Sequence, residues 1–235
     1  RRATLGLENN INRFPEYNSG IIEEGQNAAM KIGGFVKADL ISDFDAIDST
    51  DSFDTTTIAI GAADRENARF HARQSRLSFD TRWQIGSEIA RAFVEADFFG
   101  SGADSSDSLR LRHAYGRVRG FTAGQTWTTF TDPSAVPSTL DFEGAVSNVN
   151  RRQGLVRLEI PILFEDVKWA IALEDPRINI EIPEGIQGEG RTETPDLISR
   201  LRYEIDEAEF QAALVLRELG FQPVGESVRT GLAYG

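Results

Sequence analysis

The residues best equipped for chemistry in this chain are its arginines. Of 25 basic residues only Lys31, Lys37 and Lys168 are lysines, which leaves 25 − 3 = 22 arginines. Arg110 and Arg112, and likewise Arg200 and Arg202, stand two positions apart among apolar residues, and Arg76, Arg91, Arg157 and Arg217 have similar settings. A guanidinium stays charged where it is partly desolvated and presents a planar fork of donors to carboxylate or phosphate. A spacing of two places such groups on one face of an extended strand. They suit the attraction of anions. They equally suit ion pairs with Glu95, Asp97, Glu159 and Glu204, which fall at the same spacing.

Other chemistry has little material. The chain has no Cys, so disulfides and Cys-ligated zinc or iron–sulfur centres are excluded. His71 and His113 are the only histidines, and no Gly-x-Ser-x-Gly elbow is present. No catalytic residue, cofactor or metal centre is expected. Asp43, Asp45 and Asp48 have oxygen ligands to offer Ca²⁺ but lack the EF-hand pattern. The acidic stretches 43–54, with Asp51 and Asp54, and 181–196, with Glu181, Glu184, Glu189, Glu193 and Asp196, read as solvated loops. A net charge of 25 − 37 = −12 argues against nucleic acid as a partner. No apolar run is long enough for a membrane-spanning helix.

The elements that must position the arginines are strands. From Met30 onward the apolar pattern has period two. Ile32, Val36, Ala38 and Leu40 oppose Lys31, Lys37 and Asp39, and Ala90, Ala92, Val94, Ala96 and Phe98 oppose Arg91, Glu95 and Asp97. Ten such stretches follow to Tyr234, including 205–219, where alternation outweighs a helical reading. Residues 1–30 show no period and read as an N-terminal extension; 31–235 form the β-structure. The connections alternate in length, long at 46–69, 100–107, 131–150, 175–195 and 220–227 and short at 81–84, 117–120, 161–166 and 205–207. An up-and-down antiparallel sheet with all its long loops at one end gives this series, as in outer-membrane barrels. Period two also fits a soluble β-sheet binding module with its apolar face buried. The small residues Ala90, Ala92 and Ala96 on the apolar face favour lipid or a subunit interface.

Five blocks carry a resemblance. They are Met30 to Asp39, Arg73 to Thr81, Val94 to Gly100, Leu109 to Gly116 and Ala123 to Trp127. In this order they resemble strands of the DcaP-like outer-membrane porins of Gram-negative bacteria. The resemblance implies an all-β transmembrane barrel of sixteen strands, of which about ten lie in this chain, assembled as a homotrimer. It also implies passive diffusion of small hydrophilic, preferentially anionic solutes such as dicarboxylates, with outer-membrane lipid and lipopolysaccharide around the barrel. The ending Leu232-Ala233-Tyr234-Gly235 lacks a terminal aromatic residue, and a fragment is expected.

Two sets of site residues follow. Arg76, Arg91, Arg110, Arg112, Arg157, Arg200, Arg202 and Arg217 are expected to line a pore. The third long loop, with Asp132, Asp141, Phe142 and Glu143, and then Arg151 and Arg152, is expected to fold inward as a constriction. Opposed acids and arginines would set a field across it. A structural barrel with a plugged lumen is the remaining alternative.

Overall fold

The computed structural model describes residues 21–24, 27–101, 107–140, 149–176, 178, 180, 182 and 185–235. Its strands are β1 (Ile21–Glu24), β2 (Ala28–Phe35), β3 (Asp39–Asp43), β4 (Asn67–His71), β5 (Arg76–Ile85), β6 (Glu88–Ser101) and β7 (Asp107–Val118). They continue as β8 (Phe121–Trp127), β9 (Arg152–Pro161), β10 (Val167–Glu174), β11 (Gly188–Gly190), β12 (Asp196–Ile205), β13 (Ala208–Pro223) and β14 (Arg229–Tyr234). Two single 3-10 turns are the helical content of the described residues.

The chain divides into two compact units, the first running to Ala114 and including Ser134–Val149, the second comprising Tyr115–Pro133 and Asn150–Gly235. In the first, the strands pair in the order β1-β2-β5-β6-β7, and β3 and β4 form a separate ribbon. In the second the order is β7-β8-β9-β10-β12-β13, with β11 and β14 both on β13. The pairs β1–β2, β2–β5, β5–β6, β3–β4, β8–β9, β9–β10, β10–β12 and β12–β13 are antiparallel.

Every one of the ten expected strands is present. The single strand expected over 31–40 is interrupted at Val36–Ala38, where Ser75 Oγ accepts from the Lys37 N–H at 3.0 Å and donates to the Lys37 carbonyl at 3.2 Å. Beyond this break β3 and β4 resume the pairing as a ribbon. The turn expected at 81–84 lies instead at Gly86-Ser87, because Thr81 to Ile85 hold register with Ala92 to Glu88. Gly86 takes a positive φ of 63°, the backbone state that a tight hairpin needs. β1 falls within the stretch read as an extension; four residues are too few to show a period.

Short turns join strands at one end of each unit: Gly86-Ser87 in the first, and Arg119-Gly120, 162–166 and Asp206-Glu207 in the second. The long connections lie at the other end. Arg119 and Gly120 both have positive φ, 50° and 78°, as a type I′ hairpin requires. A Cβ at Gly120 would sit 2.1 Å from the Glu159 carbonyl oxygen, so only glycine fits there.

Burial runs opposite to that of a water-soluble sheet. Among the described residues six apolar side chains are buried (Ala29, Ile47, Leu155, Ala170, Ala172 and Ile198), against sixteen polar or charged ones. The regular apolar face is exposed: Leu77, Phe79, Val94 and Phe98 in the first unit, and Val156, Leu158, Leu201 and Leu214 in the second. Each large apolar side chain left in water forgoes roughly 1.5–3 kcal/mol of burial. Contiguous apolar patches of this extent are rare on soluble monomers. Water is therefore the wrong solvent for this face, and lipid satisfies it.

Candidate functional site

The buried face of the strands is the charged one, and cross-strand register explains its pairing. In the first unit Arg76 stands opposite Asp97, and Ser78 opposite Glu95. Asp97, 1% exposed, accepts from Arg110 Nε at 2.9 Å and Nη2 at 2.7 Å, and from Arg112 Nη1 at 2.7 Å. Arg112 Nε also donates to Glu95 at 2.8 Å. Asp80 receives Arg91 through two bonds of 2.9 and 3.0 Å, and Arg82 as well. Paired, doubly bonded geometry of this kind offsets the desolvation that such charges suffer.

Alternation breaks once on β7. Arg112 and His113 are consecutive, and both are buried. Arg112 meets Glu95 and Asp97, while the His113 ring lies 6.1 Å from that of Phe93, which shares a face with Arg91. Further along β7, Arg117 pairs with Glu159 at 3.2 Å.

In the second unit Glu159 also binds Arg200, which stands across β10 from it. Between them lies Ala170, and Ala172 follows opposite Arg157; both alanines are 1% exposed. Small side chains at these positions leave the space above β10 to the guanidinium groups. Arg202 pairs with Glu204 and Glu209, and Arg217 holds the fully buried Asp196 with Nε bonds of 2.9 and 3.0 Å.

The start of the third long loop is fixed on this same face. The Thr129 N–H donates to Glu174 Oε1 at 2.7 Å, and Gln153 Nε2 donates to Oε2 at 2.6 Å. Arg157 Nη1 reaches Thr129 Oγ1 at 3.4 Å, and Gln211 Nε2 reaches the Phe130 carbonyl at 3.3 Å. Thr128, Thr129 and Thr131 are all buried. Three strands, β9, β10 and β13, thus hold two residues of loop, Thr129 and Phe130.

The apolar face carries aromatic side chains near the short-turn end: Trp83 in the first unit, and Phe121, Trp169, Tyr203 and Phe210 in the second. Tyr203 and Phe210 stack at 6.3 Å, and Trp169 Nε1 donates to Ser199 Oγ at 3.0 Å. Such a girdle marks the level where lipid headgroups begin.

A family model described as DcaP outer membrane protein matches residues 7–224. The chain belongs to the DcaP outer membrane protein family. Its fold is similar to the crystal structure of the outer membrane channel DcaP of Acinetobacter baumannii, with a TM-score of 0.76 and 22% sequence identity. The match covers 92% of this chain and 60% of that one, so the chain spans about three fifths of the relative's length. None of the curated proteins matches it. As a member of the DcaP family it is an outer-membrane β-protein, which agrees with the exposed apolar face.

The expected residues divide as follows. Arg76, Arg91, Arg110, Arg112, Arg157, Arg200, Arg202 and Arg217 all stand on the charged face. Arg152 does not join the loop: it opens β9 opposite Trp127, with its guanidinium 4.7 Å from that ring, on the face away from Gln153. Arg151 is exposed, and its carbonyl accepts from the Thr128 N–H. Asp132 follows Thr131, while Asp141, Phe142 and Glu143 lie outside the described residues. Asp196, read as part of a solvated acidic loop, is the buried first residue of β12. Asp51 is likewise held, by Arg69 and Arg73. Asp43, Asp45 and Asp48 bond to Asn67, the Ala46 N–H and Arg65, and no described acidic or histidine cluster has the geometry for a metal ion. The threonine grip was invisible in sequence, because an uncharged Thr-Trp-Thr-Thr-Phe-Thr run carries no signal of burial beyond a strand.

Proposed function

We propose that residues 31–235 form the wall of a water-filled outer-membrane pore through which small hydrophilic solutes diffuse, with a preference for anions. The observation that carries this reading is the inverted burial: apolar side chains face outward, and a face rich in arginine faces inward. Arginines along a pore attract anions and set selectivity. The fold's similarity to an outer membrane channel supports the conducting role. Thr129 and Phe130, held on the charged face, give the third loop an inward start, and its continuation narrows the passage. Dicarboxylates are the solutes that the family resemblance favours, and the same resemblance favours a homotrimer embedded in lipid and lipopolysaccharide. The work is conduction, not catalysis.

The test is the reversal potential of the full-length protein in a planar bilayer under a KCl gradient of about tenfold, read for sign. Chloride preference is expected. Potassium preference overturns the role of the arginines and leaves the pore. Insertion without conductance overturns the channel in favour of a plugged structural barrel. A protein that stays monodisperse without detergent overturns the membrane reading altogether.

A further inference from the structure

Among the described residues seven of the eight arginines expected to line the pore have a carboxylate within ion-pair distance. Arg157 has none. Its hydrogen bond is a single long one, from Nη1 to Thr129 Oγ1 at 3.4 Å. A guanidinium carries five N–H donors, so most of its capacity is unspent. Its cross-strand neighbours are Thr122 on β8 and Ala172 on β10, and neither is charged.

A second observation comes from Arg200. Its side chain is 7% exposed, and Nε is buried without an acceptor. One of its Nη atoms is engaged by Glu159, whose cross-strand partner is Ala170, the residue also opposite Arg200. Glu159 is itself shared with Arg117. Glu174, the other nearby acid, accepts from the Thr129 N–H and from Gln153, both neutral donors, and keeps its charge. Three arginines, Arg117, Arg157 and Arg200, therefore stand near two carboxylates, and neither is within ion-pair distance of Arg157, over a floor of two alanines. A buried donor without an acceptor is costly, and a charged one more so.

We propose that Arg157, with Arg200 beside it, is an anion-binding step in the wall: a carboxylate group of a solute takes the open donors of Arg157 beneath the gripped start of the third loop. The step rests on the pore reading above and adds its residue. The paired arginines give shape and field; Arg157 makes the direct contact. Because the loop's Thr129 hydroxyl is its present acceptor, a solute carboxylate takes over a long, weak bond and not an ion pair.

The test measures conductance of the full-length protein in potassium acetate as the sole salt, over a range of concentrations. The wild-type curve is expected to saturate. Arg157→Gln should raise the half-saturating concentration by about tenfold, the cost of one charge-assisted contact. Arg157→Lys, which keeps charge and loses the fork, should raise it less and keep the reversal potential. Arg91→Gln removes the same charge from an arginine paired with Asp80, and should shift half-saturation less than Arg157→Gln does. An unchanged half-saturation in a conducting Arg157→Gln protein overturns the step and leaves the pore. So do equal shifts in the Arg157 and Arg91 variants, which would mean a general field. A wild type without conductance in KCl overturns the pore itself. Conductance of each variant in KCl reports that it has folded.

Discussion

Asp97 shows what one residue does on the charged face. It is nearly inaccessible and carries Arg110 and Arg112 together, with a further bond from the Phe99 N–H at 3.2 Å. Asp97→Asn leaves two guanidinium groups short of a partner, and removal of one member of a buried pair costs about 3–5 kcal/mol. The expected result is a matching loss of stability in urea, followed by loss of the compact form on unheated gels; an effect below about 1 kcal/mol would place the pair in solvent. Outside the strands, Asp51 gives a pH dependence. Burial alone would raise its carboxyl, but donation from Arg69 and Arg73 and their charge outweigh this and hold it below the usual range. A depressed carboxyl stabilises the folded state above its unfolded value, about 3.9, and that support is lost as pH falls through the folded one. Cleavage of the connection between β3 and β4 by an acid-tolerant protease should therefore rise as pH drops below about 4. Asp51→Asn should bring the faster cleavage to neutral pH and flatten the profile. Arginine spacing made the charged face legible in sequence. The partners of Asp51 and Asp196 were not, since a carboxylate in an acidic stretch looks alike whether it is solvated or held by an arginine far along the chain.

At the scale of elements, period two predicted every long strand, because a face that meets lipid alternates as cleanly as one that meets a core. It could not tell which. The ends were less legible: Thr81 to Gln84 are polar enough to resemble a turn, and pairing with β6 overrides that. The consecutive burial of Arg112 and His113 on β7 was also hidden, since alternation in the letters predicts only one of the two buried. Depth on the apolar face gives an element-level prediction. Ala96 lies mid-strand in β6, opposite Leu77, between Val94 and Phe98. Ala96→Arg should cost about 2–4 kcal/mol of stability in lipid vesicles, the penalty for arginine near the membrane midplane. Ser78→Arg, on the charged face opposite Glu95, should cost well under half of that. Equal costs would mean that both faces meet the same solvent.

For the molecule as a whole, the net charge of −12 describes its sum and not its layout. Acids dominate the long connections, and the arginines of the charged face stand on strands, so an acidic chain carries an arginine-rich face. One consequence follows from the hold on Thr129 and Phe130. Those two residues are bonded to β9, β10 and β13 and so move with these strands. A break of the Thr129–Glu174 bond therefore shifts the point from which the third loop departs, whereas a substitution beyond Thr131 leaves that point in place.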